Sequence, residues 1–146
     1  MGVRARFTEI AAAAVDRVAQ GNWPDPPEQY KCHSIDKEWI TFYQVFKDKG
    51  TPLSRAVVGD VLHPRSSHTF EQFCESGHEW YVAFISAPLV QAIAKSLGAL
   101  LLGDLKRWFE ELEIEFTEYD SIMFDTMKTA YCSAATRGNA LMILIA

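Results

Sequence analysis

Two continuous apolar runs, set among helical stripes, organise the chain. Residues 80–85 read W-Y-V-A-F-I, a run rich in aromatic and β-branched types. A strand with one wet face would alternate, so an unbroken run predicts a strand covered on both faces. Residues 140–145, A-L-M-I-L-I, predict a second strand of the same kind. Val3, Ala5 and Phe7 alternate with Arg4, Arg6 and Thr8, which predicts a half-exposed strand over 3–8 with its arginines in water.

The helical stripes follow the 3.6-residue period. Behind the first apolar strand, Leu89, Val90, Ile93, Ala94 and Leu97 fall on one face. Ser86 offers a hydroxyl to the helix start, Pro88 sits where a missing N–H costs nothing, and Gly98 can close the helix in the left-handed region. Upstream, Thr8 is placed to cap a helix over 9–20 that ends at Gly21 and Asn22. Pro24, Pro26 and Pro27 then forbid regular structure, so residues 21–30 form a rigid connection. Ile35, Trp39, Phe42, Tyr43 and Phe46 give a helix over 35–47 a broad aromatic core face, with Ser34 as its cap. Downstream, Asp104 caps a helix carrying Leu105, Trp108, Phe109 and Leu112. Thr117 starts a longer one, with Asp120 three residues on in the manner of a capping box. Its expected core face is Tyr119, Ile122, Met123, Met127, Ala130, Tyr131 and Ala134, and Gly138 with Asn139 turns the chain into the last strand. The pattern is weakest between Gly50 and Gly77. There, Arg55 to Leu62 reads as a short strand or a turn broken at Gly59, residues 63–68 as a surface loop, and Phe70 and Phe73 as anchors of a short helix.

Length and composition narrow the class. A chain of 146 residues is expected to form one domain that buries roughly two-thirds of its unfolded surface. Apolar content of 49% and charged content of 23% describe a globular chain, not a disordered one. The net charge of −5 argues against a nucleic-acid partner, which would need cations on the protein. Cys32, Cys74 and Cys132 form no paired motif, so a reducing, cytoplasmic location is the expectation. The apolar stretch from Ile10 to Val18 is interrupted by Asp16 and Arg17 and is too short to span a bilayer, so no membrane partner is expected.

The order of these pieces resembles the YfbM-like bacterial family of unknown function. The resemblance runs from GVRARF through SIDKEWITFYQVF, TPLSRAVVGD and FISAPLVQAIAKSL to FDTMKTAYCSAATRGNALMILI. It implies a compact α/β domain. It carries over no catalytic residues, and it implies an association with immunity proteins that accompany secreted bacterial toxins.

Candidate chemistry is sparse. His63, His68, Cys74 and His78 are zinc-ligand types, but H-x4-H-x5-C-x3-H follows no zinc-binding spacing. Cys32 beside His33 is a poor nucleophile–base pair, because adjacent side chains rarely face each other, and Cys132 reads as a small hydrophobe within a helix. No phosphate loop, HExxH or GxSxG is present. Asp36, Glu38, Asp60 and Glu79 could supply a carboxylate pair if the fold brought them together. The densest feature is acidic: Glu110, Glu111, Glu113, Glu115, Glu118 and Asp120 crowd the junction of two helices, beside Trp108, Phe116 and Tyr119. Like charges at this density either form a solvated face or dock a basic partner, with nearby aromatics supplying binding energy.

These readings predict an α/β fold in a single compact YfbM-like domain over 1–146, with a small mixed sheet, two buried strands and about five covering helices. The expected function is non-enzymatic protein binding, of the immunity-inhibitor type. It would act through the acidic residues with Trp108 and Tyr119, toward a basic protein such as a toxin domain. The alternatives are a small-molecule enzyme with its site at the ends of the central strands near Ser86, and a metal-binding module using the 63–78 loop. No catalytic residue, metal or cofactor is assigned.

Overall fold

Both apolar runs form strands, and they lie side by side. The computed structural model describes residues 3–22, 31–62, 69–76 and 80–146. Its sheet holds β1 (Ala5–Ile10), β2 (Cys32–Asp36), β3 (Val61–Leu62), β4 (Tyr81–Ile85) and β5 (Ala140–Ile145), in the order β2-β1-β5-β4-β3. Every pairing is antiparallel, so the sheet is not the mixed one expected. An apolar run requires only that both faces be covered, and antiparallel strands meet that condition here.

The register shows how. Phe7 faces Ile143 on β5, and Ile143 faces Ala83 on β4. Ala5, Phe7, Tyr81, Ala83, Ile85, Leu141, Ile143 and Ile145 thus share one face and join the main core. That core is closed by α2 (Trp39–Lys47), α3 (Phe70–Ser76), α4 (Ala87–Ala99), α5 (Leu102–Glu111) and α6 (Glu118–Thr136). On the opposite face, Ile10 and Phe84 pack with Ala14, Val18 and Ala19 of the segment that carries α1 (Val15–Ala19). α5 leaves α4 at 92°. Among the described residues no single helix is long and apolar enough to cross a membrane.

Several boundaries differ from expectation. β1 runs on to Ile10 because its pairing with β5 continues to Ala140, so Thr8 caps nothing and the helical segment starts only after Ala11. The segment 32–36 is a strand, and α2 begins at Trp39. The Ser34 hydroxyl accepts from the Asp36 backbone N–H within that strand instead of capping α2. Gly98 lies inside α4, which ends at Ala99. α5 starts two residues before Asp104, whose carboxylate reaches back to the Leu101 N–H at 3.4 Å. On α6 the buried side chains are Asp120, Phe124, Met127, Ala130, Tyr131 and Ala134, whereas Tyr119 and Ile122 face out. The proline segment lies largely outside the described residues.

Buried polar groups are held by partners on other elements. Glu9, 5% exposed, accepts from Arg137 Nη1 at 2.9 Å on both oxygens, from Asn139 Nδ2 at 2.8 Å and from Ser133 Oγ at 3.1 Å. Burial alone would raise its pKa, but these hydrogen bonds outweigh it and hold the carboxyl below its usual value. The Tyr131 hydroxyl donates to the Ala56 carbonyl, and the Tyr81 hydroxyl to the Val58 carbonyl at 2.7 Å, so two tyrosines hold the 56–58 segment. Burial pushes both phenols upward.

Gly59, at φ +82°, follows that segment, and a Cβ there would lie 2.8 Å from the Phe84 carbonyl oxygen. Gly59→Ala is therefore expected to cost about 2–4 kcal/mol, combining left-handed strain with a backbone clash. Gly138 also has positive φ, but a Cβ there meets nothing within 4 Å. Gly138→Ala should cost only about 1–2 kcal/mol. Urea denaturation of both variants checks the order, and equal costs would contradict the close approach at Gly59.

Candidate functional site

The acidic junction occupies the surface where α5 ends and α6 begins. Glu113 turns the chain there in the left-handed conformation, φ 58°. The expected capping box then forms: Asp120 Oδ2 accepts from the Thr117 N–H at 2.8 Å and from its hydroxyl at 2.9 Å, while the Asp120 N–H donates to Thr117 Oγ1 at 3.4 Å. Thr117 and Asp120 thus satisfy the start of a 19-residue helix.

The junction separates the predicted site residues into two groups. Glu110, Glu113, Glu115 and Glu118 are exposed, and none of the four makes an ion pair among the described residues. Glu111 is exposed but already engaged: its Oε2 lies 3.2 Å from Lys49 Nζ and its Oε1 3.9 Å from Arg107 Nε. Asp120 is only 5% exposed and belongs to the cap. Trp108 is half-buried, edge-on to Phe46 at 6.5 Å, with Lys49 Nζ 4.8 Å from its ring centre. Tyr119 is 41% exposed, and its hydroxyl donates to Asp36 Oδ2 at 2.6 Å.

Beside the junction lies a group of three carboxyls, Asp36, Glu38 and Asp120, which the sequence named separately without joining Glu38 to Asp120. Asp36 ends β2 at φ 53°, with Arg4 Nε 3.0 Å from its Oδ1. Glu38 leads into α2 and shares a hydrogen bond with Asp120. Two carboxyls bonded to each other must hold a proton between them. Burial, then the bond to Asp120 and the charges of Asp120 and Asp36, push Glu38 up to about 7. Asp120 is held below its usual value; burial opposes this, but hydrogen bonds from Glu38 and Thr117 outweigh it. The hydrogen bond to Asp36 is the main cause that pushes the Tyr119 phenol up to about 12. The pairing of Glu38 with Asp120 depends on α6 packing against β2, and nothing in the local sequence signals it.

The remaining candidates that fall among the described residues do not converge. His63, His68, His78 and Glu79 lie outside the described residues, and Cys74 is exposed on α3. Among the described residues no group of three or more His, Cys, Asp or Glu side chains is arranged to hold a metal ion. Cys32 and His33 alternate along β2 and so point to opposite faces. Cys132 is exposed on α6 instead of packing as a small hydrophobe. Asp60 meets neither Asp36 nor Glu38; it accepts from the Ser86 N–H at 2.8 Å and from the Ser86 hydroxyl. That hydroxyl makes no cap bond to α4. A site at converging strand ends also loses its basis, because β4 and β5 are antiparallel and Ile85 pairs with Leu141 at the start of β5.

No family model matches the chain, and no curated protein matches it by sequence. Among solved structures, it aligns over 98% of its length with 99% of a protein of unknown function, YfbM from Escherichia coli. The TM-score is 0.64 and the identity 21%. The chain has the YfbM fold. The resemblance drawn from the sequence is borne out at that level, and the alignment leaves no large element of either chain unmatched. The alignment shows the fold and says nothing of an activity.

Proposed function

We propose that the chain is a non-enzymatic protein-binding domain of the immunity-inhibitor type, whose α5–α6 junction captures a basic protein such as a toxin domain. The observation that carries this reading is the set of four exposed carboxylates, Glu110, Glu113, Glu115 and Glu118, that make no ion pair among the described residues, in a stretch of chain that also exposes Leu101, Leu102, Leu112, Tyr119 and Ile122. Charge of this kind steers encounter and excludes acidic partners, while adjacent apolar surface supplies the lasting contact. The net charge of −5 points the same way. The antiparallel strand ends and the engaged Ser86 hydroxyl give the enzyme alternative no comparable support.

The test is affinity capture from the native host's lysate, comparing the unaltered chain with Glu110→Lys/Glu115→Lys. Both positions are exposed, so the melting temperature should stay within about 2 °C. A single stoichiometric basic protein should be retained at low salt, weakened at high salt and lost on the charge-reversed bait. Recovery of the same proteins on both baits would refute the acidic surface.

A further inference from the structure

The surface between α5 and the start of α6 is indented. Leu102, Lys106, Phe116, Thr117, Glu118 and Ser121 enclose a groove of about 310 Å³. Phe116 is fixed there by an edge-on contact with the buried Phe109, 4.9 Å between ring centres. Lys106 Nζ lies 5.7 Å from the Phe116 ring centre, so a cation already rests on the aromatic face. Next to the groove, Leu101 is 69% exposed, Leu102 40% and Ile122 51%. Single exposed apolar residues are ordinary, but five of the seven large ones among the described residues fall between positions 101 and 122.

The composition of this surface selects its occupant. Glu110, Glu113, Glu115 and Glu118 repel anions, which excludes nucleic acid, acidic lipid headgroups and acidic peptides. The groove is at the bottom of the size range of small-molecule sites, roughly 300–1,000 Å³, and its lining offers no buried convergent polar groups. One large side chain fits such a space, and cations on either side of it would meet the carboxylates. We infer that this groove is the anchor pocket of the docking surface, taking one large aliphatic or aromatic side chain from a lysine- or arginine-flanked segment of the partner. The inference rests on the protein-binding reading above and goes beyond it by naming the pocket and the chemistry of the segment. On binding, the entering side chain displaces the Lys106 ammonium from Phe116. Glu110, four residues along the same helix, is within reach to receive it.

A phage library of short linear peptides, selected on the full chain and counter-selected on Ser121→Trp, tests this directly. The introduced indole fills the groove, and Leu102→Arg, at an exposed rim position, closes it independently should Ser121→Trp fold poorly. Enriched peptides should carry a large apolar residue between Lys or Arg residues. Their affinity, read by fluorescence anisotropy, should fall at least about tenfold in either groove variant and in Glu110→Lys/Glu115→Lys. Lys106→Met should tighten binding, because it removes a competing cation and keeps the apolar stem. Peptides that lose affinity on charge reversal but bind both groove variants normally would overturn the pocket and leave the acidic surface standing. Peptides indifferent to all three variants would overturn both. Absence of any peptide enriched over the groove-filled chain would overturn the pocket.

Discussion

Replacing Trp39 with alanine is expected to destabilise the fold by about 3–5 kcal/mol and to lower the melting temperature by roughly 10–20 °C. Trp39 opens α2, is 7% exposed, and donates its indole N–H to the Val3 carbonyl at 2.9 Å. Its ring lies 6.0 Å from Phe70 and 5.8 Å from Phe73, and both phenylalanines also contact Tyr81. The indole therefore joins α2 to α3 and to the approach to β1, and α3 in turn packs on β4. Truncation removes the packing, leaves a cavity and takes the donor from Val3. Trp39→Phe keeps most of the packing and loses the donor, so it should cost about 1–2 kcal/mol. Trp80, 41% exposed, serves as the control, and Trp80→Ala should stay within about 1 kcal/mol. Chemical denaturation of the three variants reads the series. A cost below about 1 kcal/mol for Trp39→Ala would mean that α3 does not close over the indole as described.

The second large effect concerns pH. Glu38 is pushed up to about 7 in the folded chain, above its ordinary value of 4.5. The folded state then binds this proton more tightly than the unfolded state. Its contribution to stability is complete below 4.5 and is lost as pH rises toward and through 7. Asp120 is shifted the other way, so its contribution is present above its ordinary value of 3.8 and is lost in acid. Between 4.5 and 7 the Glu38 effect therefore stands alone in this pair. Glu38 is partly exposed, which reduces the effect to on the order of 1–2 kcal/mol. Glu38→Gln supplies a permanent N–H donor to Asp120 at every pH. That variant should melt above the unaltered chain at pH 8 and lose much of the decline between pH 5 and pH 8. Groups that titrate elsewhere contribute to both proteins and cancel in the difference. Parallel melting curves for the two proteins across this range would show that Glu38 and Asp120 do not share a proton.

Much of the scaffold was legible because it depends on local pattern. The runs form strands at 81–85 and 140–145 that are mostly buried on both faces, as an unbroken apolar run in a strand requires, and only Trp80 at the edge of the first is left out. The Thr117–Asp120 box was legible because it spans one helical turn. The aromatic stripe Trp39, Phe42 and Phe46 was legible for the same reason. The strand at 32–36 was not. C-H-S-I-D carries only one strong strand former, and an edge strand exists because β1 offers it free backbone groups. The outward turn of Tyr119 and Ile122 was missed because Asp120, a polar residue, occupies the inward position of the first turn of α6. The candidate site divided along the same line. The exposed carboxylates are where a dense polar run would place them, whereas Asp120 and Trp108 were drawn into the fold by partners on other elements.

By itself, the sequence determined which segments are apolar on two faces, which helices are amphipathic, where α6 begins and that the α5–α6 junction is strongly acidic. These follow from side-chain type and spacing over a few residues. Tertiary structure alone decided that the sheet is antiparallel, that Glu9 is buried against Arg137 and Asn139, and that Glu38 meets Asp120. It alone decided that Leu102 and Phe116 line one groove. Each of these depends on contacts between residues distant along the chain. Local spacing cannot specify such contacts, because they exist only when separate elements bury their apolar faces together.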